Sequence, residues 1–180
     1  HSCRRNNLKE SLRNIHAHYD LGNDFFSTFL DDTRMYSCAI FNKPESSLHE
    51  ASITKIDRIC KKLNLSPADH LLEIGTGWGG FALHAAKHYG CRVTSTTISK
   101  EQFVFTENLI KENGLQDQVT ILKKDFRQLD GQFDKLVSIE MIEAVGYKLY
   151  KTFFQKCSQL LKPDGLLVIQ AITITDNLFE

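Results

Sequence analysis

A cluster of glycines constrains this chain more than any other sequence feature. The run 70–74 is short and apolar, and it leads directly into Gly75-Thr76-Gly77-Trp78-Gly79-Gly80. The next segment, 81–87, has a helical composition and is followed by Gly90. Glycine permits tight turns and lets a ligand approach the backbone without a Cβ in the way. The pattern therefore predicts a strand, a ligand-binding loop and a helix in that order.

Strands and helices alternate after this loop. Further strands are predicted at 91–97, 119–122, 133–139 and 166–174. Ser99 and Gln102 match a capping box that opens a helix running to about residue 113, and a second helix is predicted at 147–161. Its buried face is predicted to carry Phe153, Phe154, Cys157, Leu160 and Leu161. This alternation indicates an α/β fold with a doubly wound, mostly parallel sheet.

The amino-terminal part has a different character. Leu8, Leu12, Ile15 and Tyr19 share one helical face, and Ser47 with Glu50 predicts the start of another helix. The apolar face of that second helix, which we expect to pack on the sheet, carries Ile53, Ile56, Cys60 and Leu63. We expect residues 1–69 to form a helical cover and residues 70–180 to form the ligand-binding core. The last strand has no closing signal, so we expect the fold to be truncated after strand five.

Composition narrows the class of protein. The 22 basic and 22 acidic residues cancel, which argues against a nucleic-acid binder, and 42% hydrophobic residues argue against disorder. No apolar stretch is long enough to span a membrane, so a cytoplasmic protein is predicted. The five cysteines are an odd number without metal-ligand spacing, so neither a metal site nor paired disulfides are expected.

The zero net charge hides a basic amino-terminal segment. Arg4, Arg5, Lys9 and Arg13 lie in the first predicted helix, with Glu10 as the only acid among them. A basic helix of this kind can touch anionic lipid, so peripheral contact with a membrane surface is a further expectation.

The second strand indicates which nucleotide the glycine loop holds. Gly75, Gly77 and Gly80 also have the spacing of a dinucleotide-binding loop, which would need an acid at the end of strand two. This chain has Ser95-Thr96-Thr97 there. Glu73 instead ends strand one, where S-adenosylmethionine binders place an acid near the polar end of the cofactor. The sequence favours S-adenosylmethionine over a nicotinamide cofactor.

Five motifs follow one another along the chain. They are Tyr19-Asp20-Leu21-Gly22-Asn23-Asp24-Phe25-Phe26, Met35-Tyr36-Ser37-Cys38-Ala39-Ile40-Phe41, Leu72-Glu73-Ile74 with the glycine loop, Thr97-Ile98-Ser99-Lys100-Glu101-Gln102, and Ser138-Ile139-Glu140-Met141-Ile142-Glu143-Ala144-Val145-Gly146. In this order they resemble the cyclopropane fatty acyl phospholipid synthases and mycolic acid cyclopropane synthases. The resemblance implies a Rossmann-like class I methyltransferase fold. Thr76 departs from the cysteine that the family often has between the first two loop glycines.

The resemblance also implies which residues surround the cofactor S-adenosylmethionine. Together with Glu73, they are Tyr36, Ser37, Gly75, Thr76, Gly77, Trp78, Gly79, Thr97, Ser99, Gln102, Phe126 and Arg127. Thr97 and Gln102 offer uncharged hydrogen-bonding groups, and Phe126 offers a flat face for adenine. Ser99 and Gln102 can also be read as a helix cap alone, and Phe126 as a core residue alone.

For catalysis, the resemblance implies that a bound bicarbonate acts as the base. Glu143 and the backbone near Cys38 would hold this anion, and Gln170 could donate a hydrogen bond to it. Glu140 is the other acid within reach. Ala144 and Gln170 stand where family members commonly have histidine.

The predicted function is transfer of a methylene group from S-adenosylmethionine to an unsaturated phospholipid acyl chain, with formation of a cyclopropane. A related enzyme that makes a methyl-branched or methylene lipid, or that methylates an amine, is the alternative. Two further alternatives are an inactive cofactor-binding piece and a nicotinamide dehydrogenase.

Overall fold

The computed structural model describes Phe26 and residues 28–178 of the 180-residue chain. Its strands are β1 (His70–Ile74), β2 (Arg92–Thr97), β3 (Val119–Lys123), β4 (Phe133–Ile139) and β5 (Leu161–Gln170). They form one parallel sheet in the order β3-β2-β1-β4-β5. The parallel sheet predicted from the alternating pattern is confirmed.

Five α-helices accompany the strands within residues 28–178. They are α1 (Leu48–Lys62), α2 (Gly80–Tyr89), α3 (Lys100–Glu112), α4 (Ile142–Val145) and α5 (Tyr150–Leu160). Short 3₁₀ turns occupy Phe126–Gln128, Tyr147–Leu149 and Asp176–Leu178. The capping box predicted at α1 is present, because the Glu50 backbone donates to Ser47 and the Glu50 carboxylate accepts from the Ser47 backbone.

The helices cover both faces of the sheet. Leu71 of β1 belongs to one core cluster, which also holds Ile56 and Leu63 from the α1 region, whereas its neighbour Leu72 belongs to a second cluster that holds Phe153 from α5. Because side chains alternate along a strand, these two clusters lie on opposite faces. The structure is therefore doubly wound, and it orients the carboxyl ends of all five strands toward one edge.

The last strand was predicted correctly over residues 166–170, but both of its ends differ from the prediction. The structure pairs Phe133 with Leu161 and then Lys135 with Leu166, so the ladder is irregular between these two pairs. The strand begins before the turn-forming Pro163-Asp164-Gly165 and ends at Gln170, not at residue 174. The prediction missed the early start because proline and glycine normally mark a turn between elements.

Predictions for three other parts of the chain have different outcomes. Phe154 is 46% exposed rather than part of the buried face of α5. The predicted basic helix lies outside the described residues. In the described part of the chain, no helix has the length and apolar composition of a membrane span. The boundary at residue 69 stays a prediction, and α1 shares a core cluster with β1 and α2.

Candidate cofactor-binding and active site

A cavity of about 970 Å³ opens where the strand order reverses, between β1 and β4. Its lining includes the ends of β1, β2 and β4, represented by Ile74, Thr97 and Ile139. Open α/β sheets bind their ligands at this topological switch point, outside the carboxyl ends of the strands. The fold therefore places the glycine loop and the segment after β4 around one space.

Neighbouring residues pack so closely on the glycine loop that two of its positions have no room for a Cβ atom. Gly79 has φ +84°, and a Cβ on it would lie 2.6 Å from Cγ2 of Thr106. A Cβ on Gly80 would lie 2.3 Å from the carbonyl oxygen of Thr33, so the segment before Tyr36 packs directly on this loop. These close approaches explain why the loop needs consecutive glycines.

The loop also presents an unsatisfied polar atom at the cavity. Thr76 lines the cavity and is only 3% exposed, and its Oγ1 has no hydrogen-bond partner among the described residues. The backbone N–H groups of Gly75 and Thr76 both donate to Thr96, at 3.0 and 2.9 Å. Because buried polar groups are normally paired, the free hydroxyl of Thr76 fits a site that a polar ligand completes.

Glu73, the residue before the last of β1, carries a buried carboxyl group, 2% exposed, at the wall of the cavity. Ser95 of the neighbouring strand donates to its Oε2 at 2.5 Å. Burial raises the pKa of Glu73 to about 8, although the hydrogen bond from Ser95 and the charge of Lys55 oppose that shift. The group is therefore poised to ionise when a cation binds beside it.

Thr97, Ser99 and Gln102 form one network at the start of α3. Thr97 donates to the side-chain oxygen of Gln102 at 2.7 Å and accepts from the backbone N–H of Ser99 at 3.1 Å. Ser99 caps the helix by accepting from the Gln102 backbone at 3.2 Å. Only half of the predicted capping box is therefore present, because the Gln102 side chain bonds Thr97 instead of returning to Ser99.

The residues after β3 form a second rigid wall. Asp125 accepts two hydrogen bonds from the Arg127 guanidinium, each at 2.7 Å, and this carboxylate raises the pKa of Arg127. Phe126 is 8% exposed and packs edge-on against Phe153 at 5.4 Å. It lines the cavity and belongs to the core at the same time, and its contact with adenine stays a prediction.

The segment around Tyr36 forms the opposite side of the cavity. Tyr36 is 51% exposed and contacts Phe26 edge-on at 5.5 Å. Trp78 also lines the cavity, but it is 2% exposed and packs against Phe26 and Phe105. These aromatic contacts join the segment before α1 to the glycine loop.

Most predicted site residues line this cavity. They are Tyr36, Ser37, Cys38, Glu73, Gly75, Thr76, Gly77, Trp78, Thr97, Gln102, Phe126, Arg127 and Glu143. Gly79, Ser99 and Gln170 do not line it. Gly79 packs on Thr106, and Ser99 caps a helix. Gln170 donates a hydrogen bond to a side chain that does line the cavity.

The cavity-lining side chain that Gln170 contacts is Glu140. Its Oε1 accepts hydrogen bonds from the Cys38 backbone N–H at 3.0 Å and from Nε2 of Gln170 at 2.7 Å. Glu143 lines the same cavity, and its Oε1 accepts from the backbone N–H of Ile172 at 2.5 Å. Hydrogen bonds thus join Cys38 and Gln170 to Glu140, and the catalytic role of Glu143 stays a prediction.

Cys38 does not have the properties of an activated nucleophile. Its hydrogen bond with Glu140, followed by burial and the charge of that carboxylate, raises the pKa of the Cys38 thiol. Since only the thiolate is strongly nucleophilic, the thiol stays protonated here. The functional group that Cys38 offers is its backbone N–H.

Lys55 is a site residue that the sequence analysis missed. It lies on α1, is only 1% exposed, and its Nζ donates to Oγ of Ser37 at 2.5 Å. Burial lowers the pKa of Lys55 to about 8, while the charges of Glu140, Cys38, Asp31 and Glu73 oppose that shift. The sequence does contain a signal for this burial. Lys55 precedes Ile56 directly and Ile59 by four residues, so it lies near the apolar face of the helix.

The sheet order, the loop and the cavity define the class I fold of S-adenosylmethionine-dependent methyltransferases. A family profile described as Mycolic acid cyclopropane synthetase matches residues 6–179. The chain belongs to this family.

Individual relatives agree with that assignment. The chain is 42% identical over 172 residues to the tuberculostearic acid methyltransferase of Mycobacterium tuberculosis, covering 92% of this chain and 40% of the relative. It is 43% identical over 155 residues to the cyclopropane-fatty-acyl-phospholipid synthase of Escherichia coli K12, covering 86% and 39%. The chain thus spans about two fifths of the length of these relatives.

A solved structure gives the same result for the fold. A mycolic acid cyclopropane synthase in complex with SAH and CTAB superposes with a TM-score of 0.84 and 37% identity. The match covers 88% of this chain and 55% of that one. The predicted methyltransferase fold is confirmed.

Proposed function

We propose that this chain forms the cofactor-binding part of an enzyme that transfers a methylene group from S-adenosylmethionine to the cis double bond of an unsaturated phospholipid acyl chain, forming a cyclopropane. One observation carries the proposal: a single cavity joins the glycine loop to a carboxylate and to apolar side chains. Membership of the family and the identity to the Escherichia coli phospholipid enzyme support it.

The residues at the cavity suit S-adenosylmethionine, which supplies an electrophilic methyl group when bound. Thr97 and Gln102 offer uncharged polar groups on the side of β2, and the Thr76 hydroxyl has capacity for a ligand. A Cβ on Gly77 would meet nothing within 4 Å, so the backbone there is open to close approach. Glu73 lies where it would balance a positive charge on the cofactor.

The other end of the cavity suits an acyl chain. Met141, Val145, Leu149 and Ile172 line it beyond the end of β4, next to Glu140. Ile172 is 67% exposed, so this apolar wall continues to the surface. A lipid chain entering along these side chains would bring its double bond toward the carboxylate. The predicted contact with a membrane surface is part of this proposal.

An alkene is a weak nucleophile, so the protein must align it with the methyl group and exclude water. After the first carbon–carbon bond forms, ring closure needs a base that removes a proton from the added carbon. The bicarbonate implied by the resemblance does not fit the donors present, because the Cys38 backbone and Gln170 already donate to Glu140. No step of the proposal runs through bicarbonate.

A methylene or methyl-branched acyl chain is a second candidate product. The observation that favours it is the 42% identity to an enzyme named for tuberculostearic acid. The same cofactor and acyl-chain sites would serve both products, which differ in the fate of the carbon that becomes positive.

Incubation of the natural full-length protein with vesicles of unsaturated phospholipid and methyl-labelled S-adenosylmethionine tests the proposal. We expect label in the lipid, with ring-proton resonances in its NMR spectrum, and no label with saturated phospholipid. Labelled lipid without ring protons would favour the second candidate. Absence of label from all lipids would contradict both.

A calorimetric titration of this 180-residue chain separates binding from turnover. We expect S-adenosylmethionine to bind and NADH not to bind. Binding without turnover by this chain would identify it as a cofactor-binding piece that needs further sequence for activity.

A further inference from the structure

Glu140 accepts hydrogen bonds from two of the groups that the resemblance assigns to a bound anion. Its Oε1 accepts from the Cys38 backbone at 3.0 Å and from Gln170 at 2.7 Å. Both donors were expected to hold bicarbonate. Glu140 also lines the cavity, so its carboxylate borders the space in which a ligand would lie.

The backbone holds Glu140 in this position at an energetic cost. Its φ of +47° is in the left-handed region, which a residue with a Cβ rarely adopts. Its own N–H donates to the carbonyl oxygen of Gln170 at 2.8 Å, which extends the contact between β4 and β5. Strained backbone that the surrounding structure maintains often marks a functional side chain.

The local charges favour a carboxylate rather than a second anion. Lys55 is a buried cation that interacts with Glu140, and Gln170 can donate but cannot take up a proton. A bicarbonate held by the same two donors would lie against the negative charge of Glu140. The site is therefore already complete with a residue of this chain.

We propose that Glu140 is itself the catalytic base and replaces bicarbonate in this chain. This inference rests on the proposed function, and it holds for the cyclopropane and for the methylene lipid. The first forms by loss of a proton from the added carbon, and the second by the same loss after a hydride shift along the chain. A saturated methyl branch would instead need a hydride donor. Glu140 is distinct from Glu143, whose carboxylate accepts from the backbone of Ile172.

The step balances without any further reactant. The alkene electron pair forms the first bond to the methyl carbon, the electrons of the carbon–sulfur bond stay on sulfur, and the other alkene carbon becomes positive. Glu140 then takes a proton from the added carbon, and the freed C–H electron pair closes the ring. The proton passes from Glu140 to solvent, and nothing is oxidised or reduced.

Binding of ¹³C-bicarbonate, followed by NMR, tests the site without relying on turnover. Glu140→Gly removes the carboxylate, relieves the positive φ and frees both donors. We expect this variant to bind bicarbonate more tightly than the wild type does. Wild-type protein that binds bicarbonate as tightly as Glu140→Gly would overturn the proposal.

The activity of the full-length protein gives the second arm. We expect wild-type activity to be equal in bicarbonate-depleted and bicarbonate-supplemented buffer, and Glu140→Gln to lose about 10²- to 10⁴-fold. Unchanged affinity for SAH would show that this variant is folded. Glu107→Gln, an exposed change on α3, is the matched control.

The two hypotheses fail in different ways. Wild-type activity that requires bicarbonate, with Glu140→Gln still active, would overturn the role of Glu140 and leave the proposed function standing. A wild-type protein without lipid product in any buffer would overturn the proposed function. The bicarbonate-binding comparison would still show whether Glu140 or bicarbonate accepts the hydrogen bonds from the Cys38 backbone and Gln170.

Discussion

The Nζ atom of Lys55 lies 2.5 Å from Oγ of Ser37, which joins helix α1 to the turn that lines the cavity. This lysine is 1% exposed, and burial is the main cause that lowers its pKa from 10.5 to about 8. Its buried ammonium group therefore makes the free energy of unfolding depend on pH, and it also holds the turn that contains Ser37 and Cys38.

We expect Lys55→Met to remove a rise in stability at alkaline pH. The unfolded chain keeps the lysine proton up to about pH 10.5, whereas the folded protein releases it near pH 8. The unfolded state binds more protons between these values, so this residue makes the free energy of unfolding increase with pH by up to about 3 kcal/mol.

Urea unfolding of the wild type and Lys55→Met at several pH values from 7 to 10.5 measures this difference. Lys111→Met, an exposed change near the end of α3, is the control. Parallel stability curves for the wild type and Lys55→Met would contradict the prediction.

Glu73 makes the opposite contribution in a lower pH range. The unfolded chain loses this proton near pH 4.5, whereas the folded protein keeps it up to about pH 8. The folded state binds more protons in between, so ionisation of Glu73 lowers stability as pH rises across that range. We expect Glu73→Gln to gain about 2–4 kcal/mol relative to the wild type on going from pH 5 to pH 8.

Thermal and urea unfolding of the cofactor-free protein test this expectation. Glu107→Gln replaces an exposed carboxyl group by the same chemical change and should show no such gain. A constant difference in stability between Glu73→Gln and the wild type from pH 5 to pH 8 would show that the folded state does not hold this proton.

Two glycines of the loop should respond differently to alanine. Gly80→Ala places a Cβ 2.3 Å from the Thr33 carbonyl oxygen, and the overlap should lower stability by about 1–3 kcal/mol. Gly77→Ala meets nothing within 4 Å but strains a φ of +52°, at a cost of about 1 kcal/mol. Because Gly77 lines the cavity, its variant should lose SAH affinity more than stability.

Denaturant unfolding and calorimetric titration with SAH, run on both variants, make this comparison. Equal stability of Gly80→Ala and the wild type would mean that the segment containing Thr33 does not pack on the loop.

Thr97→Val keeps the shape of the side chain and removes its hydroxyl group. The change deprives Gln102 of its donor and the Ser99 backbone of its acceptor. We expect a loss of about 1–3 kcal/mol in stability, together with weaker binding of SAH. Thr120→Val, exposed on β3, is the matched control and should leave both quantities unchanged.

Local sequence patterns predicted the fold well but the contacts of the acids poorly. The strand at 70–74, the loop and the Ser47 cap depend on neighbours within a few residues. Glu140 meets Cys38 and Gln170 from 102 and 30 residues away, and its positive φ turns the side chain in a way that no sequence period indicates. The family resemblance implied Glu143 instead.

Competition between partners explains a smaller error. The spacing of Ser99 and Gln102 predicts a reciprocal cap. In the structure, the side-chain oxygen of Gln102 instead accepts a hydrogen bond from the Thr97 hydroxyl at 2.7 Å. Lys55 escaped notice because a lysine on a helix is normally solvated, and its burial depends on Ser37, 18 residues earlier.

In the proposed reaction, a methyl carbon is added to a lipid double bond and then loses a proton within this site. Mass spectrometry of lipid made by the full-length protein from methyl-deuterated S-adenosylmethionine measures that loss. We expect the added carbon to keep all but one of its deuterium atoms. A lipid that keeps all of them, or one that gains no label, would contradict it.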